Sequence, residues 1–226
     1  PGVKAGAFIE CPSRQIDIAP TVARLMNLPL IDGRDLSGRT SSERGVSPDV
    51  YLARQDGRVL DEVLDPAAGE PERVYLVLLD GQSHTELLHR LEAEPGAIPN
   101  LRRLIAAGVM LRHGSITNFP SITWPSHNAI GTGSWSGHHD IVNPSYYLRE
   151  TRETVSPQGQ QFDTARFLNP GVETLFEAFH RVYGEWDGAN GVVTASVNEP
   201  CTRGAGHASL ERRLIDTFDR RRLPCR

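Results

Sequence analysis

The chain has 226 residues, 38% hydrophobic and 23% charged, which is enough to bury a sizeable core and excludes a chain disordered throughout. Its 28 acidic and 24 basic residues leave a net charge of −4, so it has no general attraction for nucleic acid or an anionic membrane. Three cysteines, Cys11, Cys201 and Cys225, are odd in number and widely spaced, which disfavours a disulfide framework or a CxxC zinc site and fits a reducing, cytoplasmic compartment.

VKAGAFIE (residues 3–10) alternates like a short strand, and RQIDIAPTVARLMNLP (14–29) predicts a helix with Pro20 near its first turn. Val22, Leu25 and Met26 lie on its apolar face, and Pro29 stops it. Asp17 reads as the residue that caps the helix start. DGRVLDEVL (56–64) and the Pro/Gly/Ala linker DPAAGEPE (65–72) then separate a segment 1–65 from a segment 66–226.

From Val74 the pattern becomes regular α/β. YLVLL (75–79) reads as a buried strand, with 74–79 central in the sheet, and its abrupt end at Asp80 and Gly81 delivers a carboxylate to the carboxyl edge of a parallel sheet. Asp80 is therefore a ligand candidate. Helices are predicted over 83–91 and 100–107, the second stopped by Gly108, with Arg102 and Arg103 on a solvated face; a strand follows from Val109. The cluster Pro120, Thr123, Pro125 and His127 leads into an apolar run, which puts Thr123 in the first turn of a helix with its hydroxyl towards the same edge.

Residues 146–166 are polar and predict a surface excursion; a helix over 172–183 and a strand over 191–197 resume the alternation. The loop 198–211 lies at the carboxyl end of that strand and carries Glu199 and His207 to the edge. A last helix over 209–218 ends in the arginines at 220–222, a solvated helix end. His84, His113, His180 and His207 read as surface or helix-face histidines. The whole predicts an α/β fold, a mostly parallel sheet with helices on both faces. No apolar run approaches the roughly 18 residues that span a bilayer, and no signal-peptide apolar region is present. The chain starts at Pro1 without Met, which reads as a cut sequence and leaves a removed leader open.

The strand ending in Asp80-Gly81, PNLRRLIAAG (99–108), PSITWPSH (120–127), GTG (131–133) and HHDIVN (138–143) together resemble the opening half of the type I phosphodiesterase/nucleotide pyrophosphatase family, within the alkaline-phosphatase superfamily. The resemblance implies a partial alkaline-phosphatase-like core that hydrolyses phosphodiester or pyrophosphate bonds of a small phosphate ester such as a nucleotide. It implies two divalent metal ions, zinc with manganese as the alternative, with Asp80 as a ligand and Thr123 as both nucleophile and ligand. The family's phosphoryl-contacting Asn falls by spacing on Pro144, one residue past Asn143, so either Asn143 takes that role with a one-residue shift or the contact is missing. Asp140 replaces the family's usual Gly, so the turn after His139 is built differently. His127, His138 and His139 match positions that are structural or support the site from behind.

A threonine hydroxyl is a weak nucleophile, and a divalent cation both lowers its pKa and screens the phosphate charge. The resemblance also extends to DIAPTVARLMNLP (17–29) and DGRVL (56–60), which look like the closing strand, helix and tail of alkaline-phosphatase-like chains, here placed first. The family's D-x-x-x-H, Asp-His and lone His motifs are not visible. Either the order is permuted or the cut fell between two copies of a tandem arrangement; a permuted order places those ligands outside the 226 residues and makes this chain half of a site. Two other readings stand beside this one: a phosphonate or phosphomonoester hydrolase of the same superfamily, and a non-catalytic remnant of the fold.

Overall fold

Residues 2–31, 49–94, 96–157 and 164–209 are described in the computed structural model of the chain. β1 (Ala7–Ile9) pairs in parallel with β3 (Val109–Leu111), Phe8 opposite Met110. β2 (Ser13–Arg14) likewise runs parallel to β4 (Ser115–Ile116), and the Ser13 hydroxyl donates to the Gly114 carbonyl at 2.9 Å. The first residues of the chain are thus zipped to residues more than a hundred positions later. α1 (Ile18–Leu25) follows a 3-10 turn over Gln15–Asp17.

Asp17 stands at the N-cap position of α1 but makes no side-chain capping hydrogen bond to it. Its side chain is fully buried and accepts from the Arg14 and Arg58 backbone N–H groups, each at 2.9 Å, and it pairs with the Arg14 guanidinium at 2.7 Å. Burying a carboxylate is tolerated only when its lone pairs are this fully used.

α2 (His84–Ala93) and α3 (Pro99–Ala107) form where the helical pattern places them, α2 with Ser83 as a side-chain N-cap and α3 with Pro at its first position. α4 (Thr123–Thr132) and the short α5 (Ser136–His139) come next. The polar excursion is an antiparallel hairpin of β5 (Tyr146–Leu148) and β6 (Glu153–Val155). α6 (Leu175–Tyr183) opens with a Thr174/Glu177 capping box, and β7 (Ala195–Val197) pairs in parallel with β8 (His207–Ser209). The predicted helix over 209–218 and the arginine run lie outside the described residues, apart from Ser209, which ends β8.

The main core packs α1 against α6 through Ala19, Ala23, Leu175 and Ala178, with Tyr51, Leu52 and Val59 closing it from the segment between them in sequence. A smaller cluster of Ile141, Leu168 and Cys201 takes in Trp124 from α4.

Two expectations are corrected. Among the described residues the strands form two-stranded sheets, three parallel pairs and one antiparallel hairpin, in place of one large parallel sheet flanked on both faces. The expected central strand at 74–79 does not form: Tyr75, Val77 and Leu79 are 82%, 74% and 62% exposed and sit in no ladder. A strand exists only where neighbours accept its N–H groups and supply carbonyls. Here β1 and β3 satisfy each other and leave the apolar run without a partner among the described residues.

Candidate active site

α4 carries the candidate nucleophile at its first residue, after Ile122 in extended conformation as N-cap. Its far end is fixed by Gly133, which adopts the left-handed conformation at φ 66° and donates to the Ala129 carbonyl. The Gly133 carbonyl accepts from the Asp56 and Gly57 N–H groups, each at 2.9 Å. A Cβ on Gly57 would lie 2.0 Å from the Ile16 carbonyl oxygen, so the DGR turn is pressed against the start of α1. The Asp56 carboxylate then takes the Trp135 N–H at 2.9 Å and His138 Nδ1 at 2.7 Å. GTG and DGR are one joint.

α4 buries the polar side chains of Ser126, His127, Asn128 and Thr132, and each of these four has a hydrogen-bond partner. Asn128 donates to the Trp124 carbonyl at 2.8 Å and accepts from Thr164 Oγ1 at 2.9 Å; Thr132 donates to the Asn128 carbonyl at 2.7 Å. Ser126 meets Thr117 at 3.1 Å. Such a network fixes the helix in one rotation about its axis.

At the open end, Thr123 Oγ1 donates to Asp80 Oδ2 at 3.1 Å. The two residues, 43 positions apart in sequence, therefore meet through their side-chain oxygens. Asp80 is exposed and Thr123 half-buried, so both are open to a ligand. Two oxygens bound to one zinc ion at about 2.0–2.2 Å each would sit at this kind of separation, so the donor pair fits part of a cation's coordination shell. Among the described residues no group of three or more His, Cys, Asp or Glu side chains is arranged to hold a metal.

The remaining candidates lie elsewhere. Asn143 is exposed, and no hydrogen bond links it to Asp80 or Thr123. His139 is fully buried, and burial pushes its pKa down to about 4, so the ring is neutral at physiological pH. Its Nδ1 accepts from the Ile141 N–H at 3.1 Å, which places the proton on Nε2. Asp140 adopts the left-handed conformation itself, φ 66°, where the family has Gly, and its carboxylate is steadied by Asn169 at 2.8 Å. His84 meets the Arg112 carbonyl, His113 meets Glu10, and His180 meets Thr194, all at 2.8–2.9 Å, in structural ties.

Sequence reasoning missed one pairing. His127, one turn after Thr123 on α4, has Nδ1 within 2.8 and 3.0 Å of the two Glu199 carboxylate oxygens. Its side chain is 10% exposed and that of Glu199 20%. Asn198, left-handed at φ 52°, turns the chain at the end of β7 and sets Glu199 beside α4. The position of Glu199 at the carboxyl end of a strand was the available signal, but nothing in the sequence ties it to His127.

No helix among the described residues is long and apolar enough to cross a membrane. No curated protein and no solved structure matches the chain. The family model for type I phosphodiesterase/nucleotide pyrophosphatase matches residues 74–203, more than half of the chain and a span that contains Asp80, Thr123, His127 and Glu199. The chain therefore belongs to the type I phosphodiesterase/nucleotide pyrophosphatase family, a family of phosphate-ester hydrolases.

Proposed function

We propose that this protein hydrolyses phosphodiester or pyrophosphate bonds of a small phosphate ester such as a nucleotide, by attack of Thr123 Oγ1 on phosphorus. The observation that carries this reading is the 3.1 Å contact of Thr123 with Asp80 inside the family match. In this reading the architecture is a partial alkaline-phosphatase-like core.

Asp80 and the Thr123 oxygen contribute to holding two divalent cations, zinc or manganese. Such cations, when bound, lower the hydroxyl pKa and screen the phosphate charge. Thr123 supplies the attacking oxygen and expels one alcohol of the diester, or one phosphate of the pyrophosphate, so that the remaining phosphoryl group with its other substituent is esterified to Oγ1; a water then attacks that phosphorus and restores the hydroxyl. The N-terminal end of α4 turns backbone N–H groups and a partial positive charge towards the phosphoryl oxygens. Asn143 is assigned the contact to a phosphoryl oxygen.

Hydrolysis of bis-p-nitrophenyl phosphate and of the monoester, with added zinc or manganese, tests the proposal. Metal-dependent diester cleavage that exceeds monoester cleavage is expected, together with an added nitrophenylphosphoryl mass on the protein that Thr123→Ala removes. Full turnover by Thr123→Ala overturns it. Dominant monoester cleavage points to a phosphomonoesterase.

A further inference from the structure

Asp80 is carried by a segment that apolar burial does not hold. The run before it, 74–79, sits in no ladder, and none of the residues of α2 after it is buried. Between the two, the Gln82 N–H donates to the Leu79 carbonyl at 3.3 Å and closes a turn whose third residue, Gly81, adopts φ 76°. Ser83 then caps α2. With so little apolar packing, the direction of this turn depends on polar ties.

One such tie is His84, the first residue of α2. Its Nε2 lies 2.8 Å from the Arg112 carbonyl oxygen, which only accepts, so Nε2 carries the proton. The ring also lies against Gly114, where a Cβ would come within 3.1 Å of its Cγ and 3.3 Å of its Nδ1. Gly114, at φ 67°, closes the turn after β3 by donating to the Leu111 carbonyl, and its own carbonyl accepts from Ser13 Oγ at 2.9 Å. After β4 the chain returns to α4: the Thr117 hydroxyl donates to Gln15 Oε1 at 2.8 Å and meets Ser126 Oγ at 3.1 Å, three residues beyond Thr123. Asp80 and Thr123 are thus joined twice, directly through their side-chain oxygens and by the route through His84, the turn after β3, Thr117 and Ser126.

We propose that His84 is a positioning residue for Asp80: its hydrogen bond to Arg112 sets the start of α2 and thereby holds the Asp80 carboxylate against Thr123. The proposal rests on the reading of Asp80 and Thr123 as the reacting site. The turn between Asp80 and His84 is closed by its own hydrogen bond, so a shift of α2 carries Asp80 with it. A site of two oxygens on separate segments needs such support, because an ångström of looseness between them is enough to spoil it. The role is geometric, and His84 takes up no proton in it.

The test uses the intact protein without metal, labelled with 13C at the aspartate carboxyls. Thr123→Val moves the Asp80 signal by removing its donor. His84→Phe, which keeps a ring but no donor, is expected to move the signal in the same direction. His84→Gln, whose amide can still donate to the Arg112 carbonyl, is expected to restore it. The melting temperature of His84→Phe should stay within about 2 °C of wild type, because α2 has no buried residue. With zinc added, His84→Phe lowers kcat for the diester about five- to tenfold and His84→Gln keeps it within about twofold.

An Asp80 signal unmoved by His84→Phe overturns the proposal, as does an equal loss of kcat in His84→Phe and His84→Gln. If His84→Phe does not fold, His84→Ala, a good helix former without a donor, takes its place. Turnover that survives Thr123→Ala overturns the threonine reading instead, while the metal-free Asp80 signal still decides on His84, so the two failures are distinguishable.

Discussion

The two ends of α4 differ sharply. At the Gly133 end the helix is held by two backbone N–H donors from the DGR turn, and Asp56 grips the Trp135 N–H just beyond. At the Thr123 end one side-chain hydrogen bond to an exposed aspartate is the described link to the segment carrying Asp80. A helix clamped at one end and open at the other keeps its Thr123 terminus in register while leaving the space in front of it unfilled.

The comparison can be broken at either end. The largest effect is expected at the open one: Thr123→Ala should lower metal-dependent diester turnover about a thousandfold or more, equivalent to roughly 4 kcal/mol of barrier. Its melting temperature should stay within about 2 °C of wild type, because the lost hydroxyl bond is solvent-accessible. A large drop in melting temperature would show that the open end also carries stability.

At the clamped end, Gly57→Ala pushes a Cβ into the Ile16 carbonyl, backbone against backbone, with no flexible atom to yield. Denaturant unfolding should show a loss of about 3 kcal/mol or more. A loss under about 1 kcal/mol would mean that the joint between DGR and α1 is looser than described.

His139 sharpens the same contrast through pH. Its folded pKa, about 4, lies below the ordinary histidine value, so below neutral pH the unfolded chain binds the extra proton and the folded one resists it. The stability this costs is absent above the unfolded pKa. It grows as pH falls through about 6.5 and levels off below about 4, reaching about 3 kcal/mol. Unfolding of wild type and His139→Asn at pH 7 and pH 4 measures it: the variant should lack most of the added acid sensitivity.

The smallest effect is expected for Asp56→Asn. The amide oxygen can still accept the Trp135 N–H, but the charge facing His138 is lost. A loss of about 1–2 kcal/mol by chemical denaturation is expected, with turnover little changed.

Local signals were legible and long-range pairings were not. Ser83 before α2, Pro99 at the start of α3 and Thr123 at the start of α4 each announce themselves through capping and backbone chemistry within a few residues. The family pattern brought Asp80 and Thr123 together before any coordinates, and they do meet. The apolar run at 74–79 has the composition of a central strand, yet ladder partners are chosen across the whole chain, and β3 pairs with β1. Asp17 read as a cap because its sequence neighbours favour one, whereas its contact with the Arg58 N–H spans 41 residues. The Glu199–His127 pair spans 72, a separation at which sequence spacing carries no geometric information.

The exposed run at 74–79 also bears on how the protein behaves in concentrated solution. Six consecutive apolar residues rich in strand formers, without Pro, Gly or charge, make a segment suited to stacking against its own copy in another molecule. Arg73 and Asp80 flank it as charged gatekeepers. Asp80 thus has a second duty besides its place next to Thr123: replacing it with Asn removes one of the two charges that keep neighbouring chains apart. An Asp80→Asn sample should therefore lose solubility as well as activity, and light scattering beside the assay will separate the two losses.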